Sequence, residues 1–264
     1  AEAAIAALIA VYAIAAWFNL RIPHTGVEMR PLRGTPQSSV LGSALTLLPD
    51  FWACNARLWR DRLGQISLST TTLFWGAGGN LKFIVLAWAA VALGYNTTQA
   101  SALTGVVAIG TAAGAVLASM RMRLAAATRV IPMGIAMGVL LVMMVFIHSI
   151  WVAVPFLILL GGLGGFLVVP MNALLQHRGH NLMGAGRSIA VQNFNEQTCI
   201  LGLGFLYSFS TGMGLSAFAA ITIFGVIVAG VMWLIKRWHA HNEVAHPHEL
   251  ARLLEIARRD DLHG

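Results

Sequence analysis

Residues 184–197 read GAGRSIAVQNFNEQ and open an apolar run that continues to about residue 211. A run of this length can cross a bilayer as a helix. At 100° per residue, one face of that helix carries four polar side chains: Gln192, Asn193, Glu196 and Gln197. An ionisable residue near the bilayer centre costs about 2.5–3.5 kcal/mol and normally faces a bundle interior or a wet cavity. The stretch therefore predicts a polar pathway inside a membrane protein.

The composition of the whole chain points the same way. Hydrophobic residues make up 58% of the 264 residues and charged residues only 10%, whereas a soluble domain carries about 25% charge. Mean hydropathy is +0.74. We therefore predict an all-α transmembrane protein. The chain lacks Met at position 1 and begins inside an apolar run, so we expect it to be part of a longer protein.

The apolar runs predict four regions along the chain. Residues 1–20 form one span, and residues 21–65 form a polar connection that contains a short interfacial helix at 49–63. Residues 66–238 form a six-span bundle, followed by a polar tail at 239–264 with an apolar stripe on a short helix. The six spans are expected at 66–93, 98–120, 128–148, 150–175, 188–211 and 214–236.

The distribution of basic residues supports this topology. With the spans placed as above, 16 of the 17 Lys and Arg residues fall in connections, at span ends or in the tail on one side of the membrane, and Lys82 alone lies in the interior of a span. The positive-inside rule makes that side, and the tail, cytoplasmic. The net charge of +7 is thus explained by orientation in the membrane, and we expect no nucleic-acid partner.

Two isolated charges are the main candidates for substrate binding. Lys82 is the only basic residue in the interior of the six later spans and Glu196 the only acidic one. They form either a structural ion pair or a ligand site, unless Lys82 snorkels to an interface. Gln192 and Asn193 beside Glu196, and Asn80 beside Lys82, complete the candidate set.

The depths of the two charges in the membrane differ. Lys82 is ~24 Å along a helix from the start of its span, whereas Glu196 is ~12 Å from the start of its own. Direct contact therefore requires tilt, the length of the lysine side chain, or a helix break in the glycine-rich segment 75–80. Simple close packing is the other interpretation of those glycines.

Basic residues near the span ends are candidates for gating. Arg121 and Arg123 are either topology determinants or a gate latch, and Arg187 belongs to a loop that faces lipid headgroups. The sequence shows no nucleophile with a base at readable spacing, so we predict no enzyme. We also expect no cofactor and no metal, although the tail holds two HxH pairs.

The order of segments resembles the second half of a twelve-span major facilitator transporter, with residues 1–20 as span six. Local runs are similar to the bacterial lysophospholipid transporter family: LFWGAG at 73–78, GGFLVVPMNALLQ at 164–176, and residues 184–193. The usual loop motif of the superfamily between spans eight and nine is not readable at 119–129.

The resemblance implies movement of lysophospholipids, chiefly lyso-phosphatidylethanolamine, from the outer to the inner leaflet of the bacterial inner membrane. An acyltransferase then re-acylates them there, and membrane lipids and a missing N-terminal six-span half complete the partners. In this hypothesis Lys82 holds the phosphate, and Glu196 takes the ammonium with Gln192 and Asn193. Two alternatives are a proton-coupled exporter of an apolar drug or metabolite, and a seven-span lipid-binding sensor.

Overall fold

The computed structural model describes residues 2–21 and 47–263. Residues 22–46, the proline- and arginine-containing part of the predicted cytoplasmic connection, lie outside the described residues. The chain divides into two compact units, Ala1–Leu48 and Pro49–Gly264.

The first unit contains one described helix, α1 (Glu2–Leu20). Its only charge is Glu2, and the Arg21 guanidinium that follows it lies over the Trp17 ring at 3.8 Å. The apolar part, Leu8–Leu20, is shorter than the membrane-length helices of the second unit. The predicted first span therefore stays a prediction.

The second unit is built from helices, and the described residues contain no strand. Short 3-10 helices, Leu124–Val130 and Met144–Phe146, flank the fifth helix. The helices are α2 (Leu48–Arg60), α3 (Arg62–Ala92), α4 (Thr97–Arg121), α5 (Ile131–Met143), α6 (Ile150–Met183), α7 (Ala185–Gly212), α8 (Ala217–Ala245) and α9 (Pro247–His263).

Five of these segments are long and apolar enough to cross a membrane: α3, α4, Leu124–Phe146, α6 and α8. Helix α7 has 28 residues, but it falls short of the apolarity of the other five because of its polar stripe. The all-α transmembrane class is confirmed.

Helix ends are set by polar side chains that extend beyond the apolar runs. Asp61 caps α3 by accepting a hydrogen bond from the Gly64 N–H at 2.7 Å, so this helix begins four residues before the predicted 66. Asn96 and Gln99 form a capping box at the start of α4. Helix α6 continues to Met183, eight residues past the predicted end, and Gly184 with φ 85° alone separates it from α7.

Helix α3 lies at the centre of the bundle and packs against α4, α6, α7 and α8. Its Trp88 and Ile84 are fully buried in the main apolar core. The glycine-rich segment 75–80 is continuous helix. Gly76 lies against Cys199 and Gly79 against Ile200 of α7, so these glycines serve close packing and do not break the helix.

The tail helix α9 packs on its own bundle. Its Leu250 and Ala257 are buried, and Leu250 joins the main apolar core. Glu249 forms an exposed ion pair with Arg62 of α3 at 3.6 Å. The tail therefore covers one end of the bundle beside α3, α8 and the turn Leu124–Val130.

The most extensive helix contact joins α4 to α6. A Cβ added at Gly114 would overlap the carbonyl oxygen of Gly162, and one added at Gly161 or Gly165 would overlap a carbonyl oxygen of α4. Backbones approach this closely only where side chains are absent, which is the usual way that membrane helices associate.

Replacing Gly114 by Ala should destabilise the protein, because the new methyl group meets backbone that cannot move aside. We expect a loss of about 1–3 kcal/mol. Gly105→Ala on the same helix is the control, since nothing lies within 4 Å of its added Cβ and Ala favours a helix by about 1 kcal/mol over Gly. Thermal unfolding in detergent measures both, and equal melting temperatures would contradict the close contact.

A second device joins α6 to the start of α3. Arg178 donates from Nε to Asp61 Oδ1 at 3.1 Å and from Nη2 to Asp61 Oδ2 at 2.5 Å. The two side chains are only 6% and 9% exposed. Asp61 thus caps α3 and binds the end of α6 with the same carboxylate.

Asp61→Asn should be strongly destabilising, because it leaves the buried Arg178 guanidinium without its counter-charge. Breaking a buried pair by removing one partner costs about 3–5 kcal/mol. The matched control is Asp50→Asn, whose ion pair with Arg187 at 3.0 Å is 53% and 44% exposed and should matter by less than about 1 kcal/mol. Denaturant unfolding in micelles compares the two variants. Similar losses would show that the depth of the pair is unimportant.

Candidate functional site

The four polar residues of the α7 stripe separate into two pairs. Gln192 and Glu196 are each 7% exposed and turn into the bundle, whereas Asn193 and Gln197 are exposed. The predicted polar face is thus only partly internal. Asn193 is not brought to Glu196 by any contact among the described residues.

A short hydrogen-bonded chain holds the Glu196 carboxylate. The Gln192 Nε2 donates to Glu196 Oε1 at 2.8 Å and to Asn172 Oδ1 of α6 at 2.7 Å. Buried polar groups need such partners, since a polar atom left unpaired costs about 1–3 kcal/mol. These hydrogen bonds join α6 to α7 through the side chains of Asn172, Gln192 and Glu196, of which Glu196 is acidic.

Helix α2 contacts α7 next to Glu196, on the side that bears Phe194 and Asn195. Asn195 Nδ2 donates to Asn55 Oδ1 at 2.9 Å, and Trp59 Nε1 donates to Asn195 Oδ1 at 3.3 Å. The Phe51 ring meets the Phe194 ring edge-on at 5.1 Å. Arg187 pairs with Asp50 of α2, so this predicted loop residue ties α2 to the start of α7.

Lys82 lies elsewhere on α3, at an apolar cavity of about 280 Å³ between α3, α4, α5 and α6. Its Nζ lies 4.8 Å from the centre of the Phe83 ring. Among the cavity's lining residues Lys82 is the only charged one, and most of the others are aliphatic, aromatic or glycine. Lys82 is an exposed residue at the edge of this apolar space, an arrangement that suits a ligand with an acyl chain and an anionic head.

Asn80 does not line this cavity. Its Nδ2 donates to the Gly76 carbonyl at 2.8 Å and to the Ile200 carbonyl of α7 at 3.0 Å. Both amide hydrogens are therefore used within the bundle. In this structure Asn80 joins α3 to α7, and it faces away from the space beside Lys82.

Lys82 and Glu196 are not brought together. Helices α3 and α7 run parallel, with Gly76 beside Cys199 and Asn80 beside Gly204. Glu196 comes three residues before Cys199 and Lys82 comes six residues after Gly76, which separates the two along the helices by ~14 Å at 1.5 Å per residue. The structure therefore contains two separate charged positions and no intramembrane ion pair between these residues.

The remaining candidates lie at the edge of the bundle. Arg121 ends α4 and Arg123 precedes the turn Leu124–Val130, and both are exposed. The Nε2 atom of His239, in the predicted tail region, lies 3.5 Å from Oε1 of Glu243 on the same helix. Within residues 2–21 and 47–263 no group of three His, Cys, Asp or Glu side chains could hold a metal.

Asn172 was missed as a site residue, although its signal is present in the sequence. It is the single amide or charged residue of the predicted span 150–175, the same criterion that singled out Lys82 and Glu196. Asn55 and Trp59 could not be found in this way, because polar residues are ordinary in a short interfacial helix.

Comparison with known proteins places the chain among named relatives. It is 40% identical over 243 residues to the lysophospholipid transporter LplT of Salmonella arizonae, which covers 89% of this chain and 59% of that protein. The LplT proteins of Yersinia enterocolitica and Yersinia pestis are also 40% identical, over 79% and 77% of this chain and 50% and 48% of their own lengths.

No family model and no solved structure matches the chain. The chain spans about half to three fifths of the length of these relatives. Over most of its length this chain is a homologue of the proteins named lysophospholipid transporter LplT, and the resemblance of its sequence to lysophospholipid transporters is confirmed.

Proposed function

We propose that this chain is the C-terminal part of a major facilitator transporter that moves lysophospholipids across the bacterial inner membrane. The similarity to proteins named lysophospholipid transporter, over most of the chain, is the observation that carries this proposal. The transporter takes lysophospholipids, chiefly lyso-phosphatidylethanolamine, from the outer to the inner leaflet. A cytoplasmic acyltransferase then re-acylates them.

The two charged positions suit the two ends of the transport path. With the start of α3 and of α7 at the cytoplasmic side, Lys82 lies toward the outer leaflet and Glu196 toward the inner one. An ethanolamine headgroup joins its phosphate and ammonium by only two carbons, so it cannot span ~14 Å between these residues. Lys82 therefore binds the phosphate first, and Glu196 binds the ammonium later on the inward path.

The apolar cavity supports the first of these steps. Phe74, Val85 and Leu160 line it with hydrocarbon, so a single acyl chain can enter while Lys82 holds the phosphate as a point charge. Gln192 donates a hydrogen bond to one oxygen of Glu196, and a donor of this kind favours the ionised carboxylate that would receive the ammonium. Asn193 is exposed on the other side of α7 and has no part in this second position.

Glu196→Gln should impair ethanolamine lysolipid more than glycerol lysolipid, which has no amine. Loss of one charge-assisted contact corresponds to about tenfold or more. Flipping of labelled lysolipids by the full-length protein in proteoliposomes measures both headgroups. The control is Thr198→Val, which removes only an exposed hydroxyl bonded to its own helix. Equal loss of transport of both headgroups would reject this role of Glu196.

A strict requirement for a proton gradient would favour the alternative of a drug exporter. An unchanged distribution of labelled lipid between the leaflets would favour the alternative of a lipid-binding sensor.

Lys82→Met should reduce transport of both headgroups by a similar factor, about tenfold, because both carry the phosphate. Lys82→Arg keeps the positive charge and should retain most of the transport. Lys236→Met, at an exposed position of α8, is the matched control for loss of a cation. Leaflet-specific extraction of labelled lipid by albumin provides the measurement. If Lys82→Met transported both lipids at the normal rate, the phosphate site would have to lie elsewhere.

A further inference from the structure

We infer that Asn172 of α6 is a positioning residue for the headgroup site. Its side-chain oxygen fixes the Gln192 amide so that Gln192 presents a donor to the Glu196 carboxylate. The inference rests on the proposed function, in which Glu196 receives the amine of a lysophospholipid. In this inference the preference for an amine headgroup depends on Asn172 of α6, although the charged residue, Glu196, belongs to α7.

The geometry leaves Gln192 only one orientation. An amide nitrogen carries two hydrogens, and here one goes to Asn172 Oδ1 at 2.7 Å and the other to Glu196 Oε1 at 2.8 Å. Rotating the amide by 180° would point its oxygen at two acceptors. Only the nitrogen end can face two acceptors at once, so Asn172 Oδ1 and Glu196 Oε1 together hold Gln192 in this orientation.

This arrangement prepares Glu196 for a cation. Its Oε1 is occupied by Gln192, and no hydrogen bond to its Oε2 is formed by the residues in the described ranges 2–21 and 47–263. The second oxygen is thus left for an ammonium group. A carboxylate whose direction is already fixed loses less freedom when the ligand binds, which increases affinity.

Without the Asn172 oxygen, the Gln192 side chain is held by Glu196 alone. It can then rotate, and its oxygen can compete for the ligand's ammonium or repel the carboxylate. Glu196 would keep its charge but lose its fixed direction. The amine headgroup should suffer, whereas the phosphate, which Lys82 binds ~14 Å away along the helices, should not.

The test compares headgroups in binding to the full-length protein in nanodiscs. Asn172→Leu keeps a similar side-chain volume and removes the oxygen. We expect the ratio of affinities for ethanolamine over glycerol lysolipid to fall about tenfold, the usual consequence of losing a hydrogen bond to a charged group. Gln176→Leu, one turn later on α6 and exposed, is the matched control and should leave the ratio unchanged.

Two further variants separate positioning from packing. In a Glu196→Gln background, Asn172→Leu should change the ratio no further, because Asn172 acts only through Glu196. Asn172→Asp keeps an acceptor oxygen in the same place and adds a second negative charge that also attracts an ammonium, so the amine preference should not fall; a fall would contradict the positioning role. If Asn172→Leu fails to fold, Asn172→Ser, with a shorter reach and a smaller volume, takes its place.

The outcomes distinguish the two levels of the proposal. If Glu196→Gln leaves the ratio unchanged, the proposed role of Glu196 fails and the positioning role fails with it. If Glu196→Gln shifts the ratio but Asn172→Leu does not, only the inference about Asn172 is overturned. Equal weakening of both headgroups by Asn172→Leu, or full additivity with Glu196→Gln, would likewise reduce Asn172 to a packing residue.

Discussion

A carboxylate among apolar helices is tolerated only when hydrogen-bond donors are fixed around it, and the α6–α7 interface is organised by this constraint. Gln192 is the donor to Glu196, and Asn172 in turn orients Gln192. A hydrogen-bonded network of this kind joins the two helices in one arrangement. The buried Arg178 guanidinium near the end of α6 has the corresponding need for acceptors, and it donates two hydrogen bonds to the Asp61 carboxylate.

Absent side chains organise the other half of the bundle. Glycines let the α4 and α6 backbones touch, and Gly161 and Gly164 of the same series also line the cavity beside Lys82. The glycines of α6 therefore contribute both to the close contact with α4 and to the cavity beside Lys82. Toward α4 these glycines face backbone at close contact, and toward α3 and α5 Gly164 faces the side chains of Phe74 and Met137, which also line the cavity.

Sequence patterns were sufficient for the fold class and for most helix positions, because apolar runs of bilayer length are a strong signal. They failed where polar residues continue a helix past its apolar run, as at the end of α6, since capping and tertiary contacts set that boundary. The stripe of α7 was visible in the sequence. Its division into buried Gln192 and Glu196 and exposed Asn193 was not, because a helical face some 100° wide covers both environments.

The separation of Lys82 from Glu196 also follows from register. Counting residues from span starts already gave different depths, but only the parallel packing of α3 on α7, with Gly76 beside Cys199, fixes the offset. Asn80 illustrates the limit of such reasoning. Its proximity to Lys82 in the sequence predicts a shared site. The two residues are two positions apart on the helix, however, and the Asn80 amide donates to the Ile200 carbonyl of α7.

Gly184 has a consequence for how the protein enters the membrane. It alone connects α6 to α7, so the two helices form a tight antiparallel hairpin in which Asn172 already faces Gln192. Helix α7 is too polar to match the other spans in apolarity. Insertion of the two helices as one unit would shield the amide and acid groups of α7 during partitioning into the bilayer. The entry of this polar helix would then depend on its apolar neighbour through a single residue of positive φ.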